Sequence, residues 1–211
     1  MSGLLVVTAV EAERDAVLAG LAAVDAAIEV RAVGVGPAVA AAGTAWLLAR
    51  ASFSAVVCAG IGGGFADRVT AGGLALASES VAADLGAESP DGFLPLDRLG
   101  FGTVRYPADP ALLAALQEQL PEAVTGPVLT VSTVTGSAAS TAALRDRYPD
   151  AVAEGMEGFG VAEATDRAGV AFAELRAISN AVGPRDRSAW RIAAALAALT
   201  SAAPALARLD P

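Results

Sequence analysis

Ser54-Ala55-Val56-Val57-Cys58-Ala59-Gly60-Ile61-Gly62-Gly63-Gly64 is the stretch from which the fold is read. Its middle has no polar break and no alternation, the pattern of a strand covered on both faces. The glycines that follow predict a loop, residues 60–64, at the strand's carboxyl end. Consecutive residues without Cβ let backbone amides approach a ligand closely; a plain turn accounts for them equally well. Outward from this stretch the pattern repeats. Gly3-Leu4-Leu5-Val6-Val7-Thr8-Ala9 reads as a second buried strand, followed by a helix over 11–21 with acids in its first turn. A strand over 29–36 ends in Gly34-Val35-Gly36-Pro37 and leads to an alanine-rich helix over 38–50.

Beyond the glycines, 73–78 and 80–83 read as strand pieces, and 84–110, rich in Gly, Pro and Asp, as the longest irregular segment. A helix over 110–120 begins on a proline. Strands over 127–132, 151–156 and 171–179 then alternate with helices over 137–148, 158–168 and 188–209. Alternating strands and helices predict an α/β fold, with a central twisted mixed sheet flanked by helices in three layers. The 211 residues contain no repeat or linker, so 1–211 reads as one domain.

Composition removes whole classes of chemistry. There is no histidine, which excludes Ser-His-Asp, Cys-His and His-metal sites. There is no lysine either, so Schiff-base and P-loop lysine mechanisms fall away. A net charge of −9 argues against nucleic acid and anionic membranes as partners. Cys58 is the single cysteine, which leaves no disulfide framework or thiolate metal site and reads as a small buried thiol. Met1-Ser2-Gly3-Leu4 lacks a basic leader, and no apolar run reaches the ~18 residues that span a bilayer, so the chain reads as cytoplasmic.

In α/β sheets ligands gather at the carboxyl ends of strands. Glu13 after the first strand, the 60–64 loop, the loop after Ser132 that carries Val134, Met156-Glu157 and Ser179-Asn180 all fall at such ends. A carboxylate beside a soft apolar Met suits a hydroxylated sugar face, and a side-chain amide suits the edge of a base. Each residue also has an ordinary reading: first-turn acid for Glu13, cap for Glu157, turn former for Asn180. Arg185-Asp186-Arg187 reads as a solvated cluster. Gly34-Val35-Gly36-Pro37 misses the dinucleotide spacing, because Val39 occupies the last glycine position, and reads as a tight strand–helix turn.

Five segments together resemble the nucleoside phosphorylase and nucleosidase superfamily over essentially the whole chain: Thr8-Ala9-Val10-Glu11-Ala12-Glu13, Ala59-Gly60-Ile61-Gly62-Gly63-Gly64-Phe65, Ala83-Asp84-Leu85-Gly86-Ala87-Glu88-Ser89-Pro90-Asp91-Gly92-Phe93, Gly155-Met156-Glu157-Gly158 and Ala177-Ile178-Ser179-Asn180-Ala181-Val182-Gly183-Pro184-Arg185-Asp186. Within the superfamily the third and fifth are similar to the futalosine hydrolases. The resemblance implies hydrolysis of the N-glycosidic bond of futalosine to hypoxanthine and dehypoxanthine futalosine, in menaquinone biosynthesis, with no metal or organic cofactor. It makes Glu13 the residue that activates water, Glu157 the ligand of the ribose hydroxyls, and Met156 the packing under the sugar. Asn180 stands where adenine-specific relatives have aspartate, and its NH2 can donate to both acceptors, O6 and N7, of hypoxanthine. Gly60, Ile61, Gly62, Val134 and Phe93 would contact substrate.

Ile61 stands where a hydroxyl is common in relatives, which disfavours phosphorolysis. The 84–105 segment would be a lid, with Phe93 and Leu94 over the aromatic 5′ group and an arginine for its carboxylate. Relatives complete the pocket from a neighbouring subunit, which implies a homo-oligomer. The alternatives are another purine nucleosidase or phosphorylase, for inosine-like or 5′-methylthioadenosine-like substrates, and a non-catalytic nucleoside-binding protein.

Overall fold

A computed structural model describes residues 3–24 and 26–209. Met1 and Ser2 of the leader reading, and the last two residues of the expected domain, lie outside the described residues. In chain order the strands are β1 (Gly3–Thr8), β2 (Ile28–Ala32), β3 (Phe53–Gly64), β4 (Leu74–Ala82), β5 (Gly86–Ser89), β6 (Gly92–Pro95), β7 (Arg105–Pro107), β8 (Val124–Thr130), β9 (Ala153–Gly155) and β10 (Ala171–Ala181). The helices are α1 (Glu11–Leu21), α2 (Pro37–Leu48), α3 (Pro110–Gln119), α4 (Ala138–Arg147), α5 (Gly158–Ala168) and α6 (Ile192–Leu206).

The uninterrupted apolar runs have a direct cause. Leu4 and Val6 point into a core formed with Val17 of α1, Leu116 of α3 and Leu199 of α6. Leu5 and Val7, on the opposite face, meet Ala40 of α2 and Val161 of α5. β3 splits in the same way, Val57 to the first core and Val56 with Cys58 to the second. Helices therefore cover both faces of a mixed sheet.

β1 runs parallel to β2 and to the first half of β3, and β10 runs parallel to the other edge of β3. β10 is antiparallel to β4, β4 parallel to β8, and β8 parallel to β9. β9 then returns to β3, pairing antiparallel with Gly63 and Gly64. The strands β3, β10, β4, β8 and β9 thus close a ring, with β1 and β2 as a wing and β7 on β4.

The predicted 60–64 loop is strand instead. Glycine is required there by close strand approach rather than by a turn. A Cβ at Gly62 would lie 2.7 Å from the Glu154 carbonyl, and one at Gly64 would run into the Val69 carbonyl. The two strand pieces expected after residue 73 are one strand, β4, with an irregularity between Ala77 and Ser80. The 84–110 segment holds the β5–β6 hairpin and β7. Gly34 and Gly36 have φ of 104° and 93°, which only glycine adopts freely, so this is the strand–helix turn expected. The stretch Arg187–Leu206 is long and apolar enough to cross a membrane, against the reading from sequence. Its helix proper, α6, buries Ala195, Leu199, Ala202, Ala203 and Leu206 in the main core, and its hydrophobicity is that of a core helix.

Candidate active site

Glu13 sits in the first turn of α1 rather than at the end of β1. Its side chain folds back over the helix start, where Oε2 accepts from the backbone N–H groups of Ala9 at 2.9 Å and Val10 at 3.1 Å. Oε1 reaches across to accept from Ile61 N–H of β3 at 2.8 Å. The first-turn position expected of Glu13 is thus observed, and the same carboxylate lines a cleft. Two acceptor positions on Oε2 and one on Oε1 are filled, which leaves one on Oε1 for a ligand or water. Gly60 lies behind this group and outside the cleft lining; a Cβ there would stand 2.8 Å from Glu13 Oε1 and 2.9 Å from Arg176 Nη1. Its role is to leave room.

Glu157 occupies the cap position of α5, just past the end of β9. Oε1 accepts from Gly36 N–H at 3.3 Å, so the tight turn between β2 and α2 holds this carboxylate. Oε2 accepts from Met156 N–H at 3.3 Å and from Arg176 Nη1 at 3.1 Å. Arg176 is 1% exposed. Its Nε donates to Glu174 Oε1 at 2.8 Å and its Nη2 to Cys58 Sγ at 3.3 Å. Burial works against the charge of Arg176, but the carboxylates of Glu174 and Glu157 help hold it protonated. Burial also pushes the Glu174 carboxyl up, with Arg176 pulling it back, and raises the Cys58 thiol, which stays neutral. The sequence reading missed this cluster. Its signal was present: Glu174 and Arg176, two residues apart in an otherwise apolar strand, must share a face.

Asn180 is fixed by its neighbours. The Ser179 hydroxyl lies 2.8 Å from Asn180 Oδ1 and 3.1 Å from the Gly62 carbonyl. Nδ2 donates one N–H to the Ala181 carbonyl at 3.0 Å, so one N–H remains for a ligand rather than the two expected. Glu154, also missed from sequence, is buried in β9, across Gly63 of β3 from Asn180. Its Oε1 accepts from Thr135 N–H at 2.9 Å and its Oε2 from the Thr135 hydroxyl. Burial raises the Glu154 carboxyl above its ordinary range, against the lowering effect of Thr135.

One cleft of about 250 Å³ gathers Glu13, Ile61, Gly62, Val134, Met156, Glu157 and Asn180, together with Glu154, Val10, Val35 and Trp190. No arginine lines it. A second hollow of about 370 Å³ adjoins it through Val134, Asn180 and Trp190, and reaches Arg185 and Asp186. Asp186 accepts from Ser188 N–H at 2.9 Å and caps a short turn, and the Ser188 bonds hold its carboxyl below the usual range. Arg185 and Arg187 lie over the Trp190 ring at 5.7 and 5.8 Å.

Phe93 is not brought to the cleft. It sits in β6 under the Arg147 guanidinium, 4.4 Å from the ring centre. No residue of 84–105 lines the cleft. The segment's hairpin pairs only with itself and is held by Arg147, on a different part of the surface. Among the described residues no group of Cys, Asp or Glu is placed to hold a metal.

The chain matches the phosphorylase superfamily over residues 15–209, a span that includes Glu157 and Asn180 and begins just after Glu13. It is 52% identical to a futalosine hydrolase of Streptomyces coelicolor, with 97% of this chain and 94% of that protein covered. A futalosine hydrolase of Acidothermus cellulolyticus is 47% identical, over 96% of this chain and 89% of that one. Among solved structures, the native futalosine hydrolase of Helicobacter pylori superposes with a TM-score of 0.84 at 17% identity, covering 97% of each chain. At that identity the likeness concerns the fold.

Proposed function

The chain belongs to the phosphorylase superfamily, within it to the futalosine hydrolase family, and from that premise we propose that its cleft hydrolyses the N-glycosidic bond of futalosine, releasing hypoxanthine. One observation carries the reading: two buried carboxylates, Glu13 and Glu157, face one cleft that contains no cationic side chain for phosphate. Cleavage builds positive charge on the ribose and negative charge on the base. Glu157, fixed by Arg176 and two backbone amides, binds the ribose hydroxyls and stabilises the first. The remaining N–H of Asn180 donates to the leaving base and stabilises the second. The free lone pair on Glu13 Oε1 takes the proton of the attacking water as its oxygen bonds to C1′. The base departs with the bonding electrons and gains its proton from solvent. Met156 packs under the sugar, and Ile61, Gly62 and Val134 complete the substrate walls.

This reading places the enzyme in the cytoplasm, in menaquinone biosynthesis, as a homo-oligomer. The last point is supported by α2, which carries no charged residue and leaves Val39 and Trp46 53% and 59% exposed. The test is hypoxanthine release from futalosine with and without phosphate. Equal rates are expected; formation of a ribosyl 1-phosphate would overturn hydrolysis, and absence of hypoxanthine would overturn the substrate.

A further inference from the structure

We propose that Glu174 is a positioning residue for bond cleavage: it holds and neutralises the Arg176 guanidinium, so that the negative charge of Glu157 is left over for the ribose. The inference rests on the function proposed above and deepens it by naming the group that sets the field at the sugar.

Strand geometry puts the ions together. Glu174 and Arg176 are two residues apart in β10, so both project from one face of the strand. That face meets Gly155 and Gly158, on either side of Glu157, where added Cβ atoms would strike Arg176 and Glu174 respectively. A guanidinium is a rigid plane, so a bond at Nε fixes the direction of both Nη atoms. Glu174 Oε1 accepts that bond at 2.8 Å, shorter than the 3.1 Å from Nη1 to Glu157 Oε2. Nη2 donates to Cys58 Sγ. Nη1 and Glu13 Oε1 border the same missing Cβ of Gly60, so the arginine stands behind both cleft carboxylates.

Charge decides the role. Arg176 without Glu174 would cancel the charge of Glu157, the group that must meet positive charge developing on the ribose. With Glu174 paired at Nε, one cation faces two buried anions, and one negative charge remains at the floor of the cleft. Stability alone does not call for an acid there. The Glu174 side chain is fully buried and its Oε2 has no hydrogen-bond partner among the described residues. Burying such a group costs free energy, and apolar residues often match or better a buried ion pair in stability. The field of the carboxylate accounts for its presence. At ~10 Å and an effective dielectric constant of ~20, one charge changes the affinity for a cation by roughly 10-fold.

Two C-nucleoside analogues of futalosine, whose sugar–base bond cannot be hydrolysed, separate field from packing. One keeps the ring oxygen of ribose; the other carries a ring amine that is cationic at neutral pH. Their Kd values would be measured by calorimetry on wild type, Glu174→Gln and Glu174→Leu, with kcat and KM on futalosine beside them. Wild type should prefer the cationic ring. In Glu174→Gln, whose amide oxygen still accepts from Nε–H, that preference should fall ~10-fold while the neutral analogue binds as before. Its kcat should fall by a similar factor with KM little changed. Glu174→Leu loses the hydrogen bond as well as the charge and should lower the preference by the same factor, so either variant that folds decides the matter. An unmoved preference in a folded variant would overturn the assignment and leave Glu174 as packing. A preference lowered only in Glu174→Leu would also overturn it, because the bond rather than the charge would then matter. Loss of the fold in both variants would make Glu174 a requirement of folding and overturn it as well. A wild type that releases no hypoxanthine from futalosine strikes the functional reading itself; an active wild type whose preference the variants keep strikes Glu174 alone.

Discussion

At the floor of the cleft, Glu13 and Glu157 are 3% and 5% exposed, and backbone amides or Arg176 hold their oxygens. At the rim, Val134 is 51% exposed, and Asn180 keeps an N–H free beside a half-buried Trp190. The floor is fixed before any ligand arrives, as suits groups that must meet charge developing in a transition state. The rim has spare donors and open space, as suits discrimination between similar ligands. The difference predicts that floor substitutions change stability and rate together, while rim substitutions change preference.

The largest effect should come from Arg176→Met, which leaves Glu157 and Glu174 buried without their cation. Breaking a buried pair from one side typically costs ~3–5 kcal/mol, read here by chemical denaturation. The double variant Arg176→Met with Glu174→Leu should recover part of that loss; no recovery would show that Glu174 is not part of the cluster's energetics.

Glu157→Gln comes next, with kcat lowered on the order of 10²–10³. A folded variant with near-wild-type turnover would remove Glu157 from the mechanism. Gly60→Ala probes the same floor without touching a functional group. Its Cβ must displace Glu13 Oε1 or Arg176 Nη1, and a misplacement near 1 Å costs ~10² in rate. Unchanged kcat/KM there would mean that the floor gives way more easily than its hydrogen bonds suggest.

At the rim, Asn180→Asp should lower the preference for 6-oxo over 6-amino substrate by ~10-fold, since each unmatched buried group costs ~1–3 kcal/mol. A preference that does not fall would mean that Asn180 only shapes its loop. The smallest effect concerns pH. Burial raises the Glu154 carboxyl, so the folded chain binds this proton more readily than the unfolded one. That contribution is complete below the unfolded value of ~4.3 and is lost as pH rises through the folded value. Tm of Glu154→Gln should therefore decline less than wild type across that window.

The alternation of strands and helices was legible because each element's burial pattern is local, and α1 and α5 follow the expected bounds. Glu13, Met156, Glu157 and Asn180 were legible as polar or soft residues beside strand ends, and the cleft gathers all four. Phe93 was misplaced because its hairpin pairs only with itself and is held by Arg147, and Gly60 for a different reason. Whether a residue faces a cleft depends on which strand lies beside it, and β3's pairing with β10 and β9 spans roughly a hundred residues of chain. Glu154 escaped notice for the same cause: it becomes a neighbour of Asn180 only through Gly63.

The fence of glycines around the buried ions has a consequence for how this chain can vary. Cβ atoms at Gly60 or Gly155 would sit within about 3 Å of Arg176, and one at Gly158 would collide with the Glu174 carboxylate. Three glycines thus make room for one cation and its acids. A single change at any of them strains the others, and relief would need a second, compensating change beside it. New substrates would be explored by changing the rim around this group.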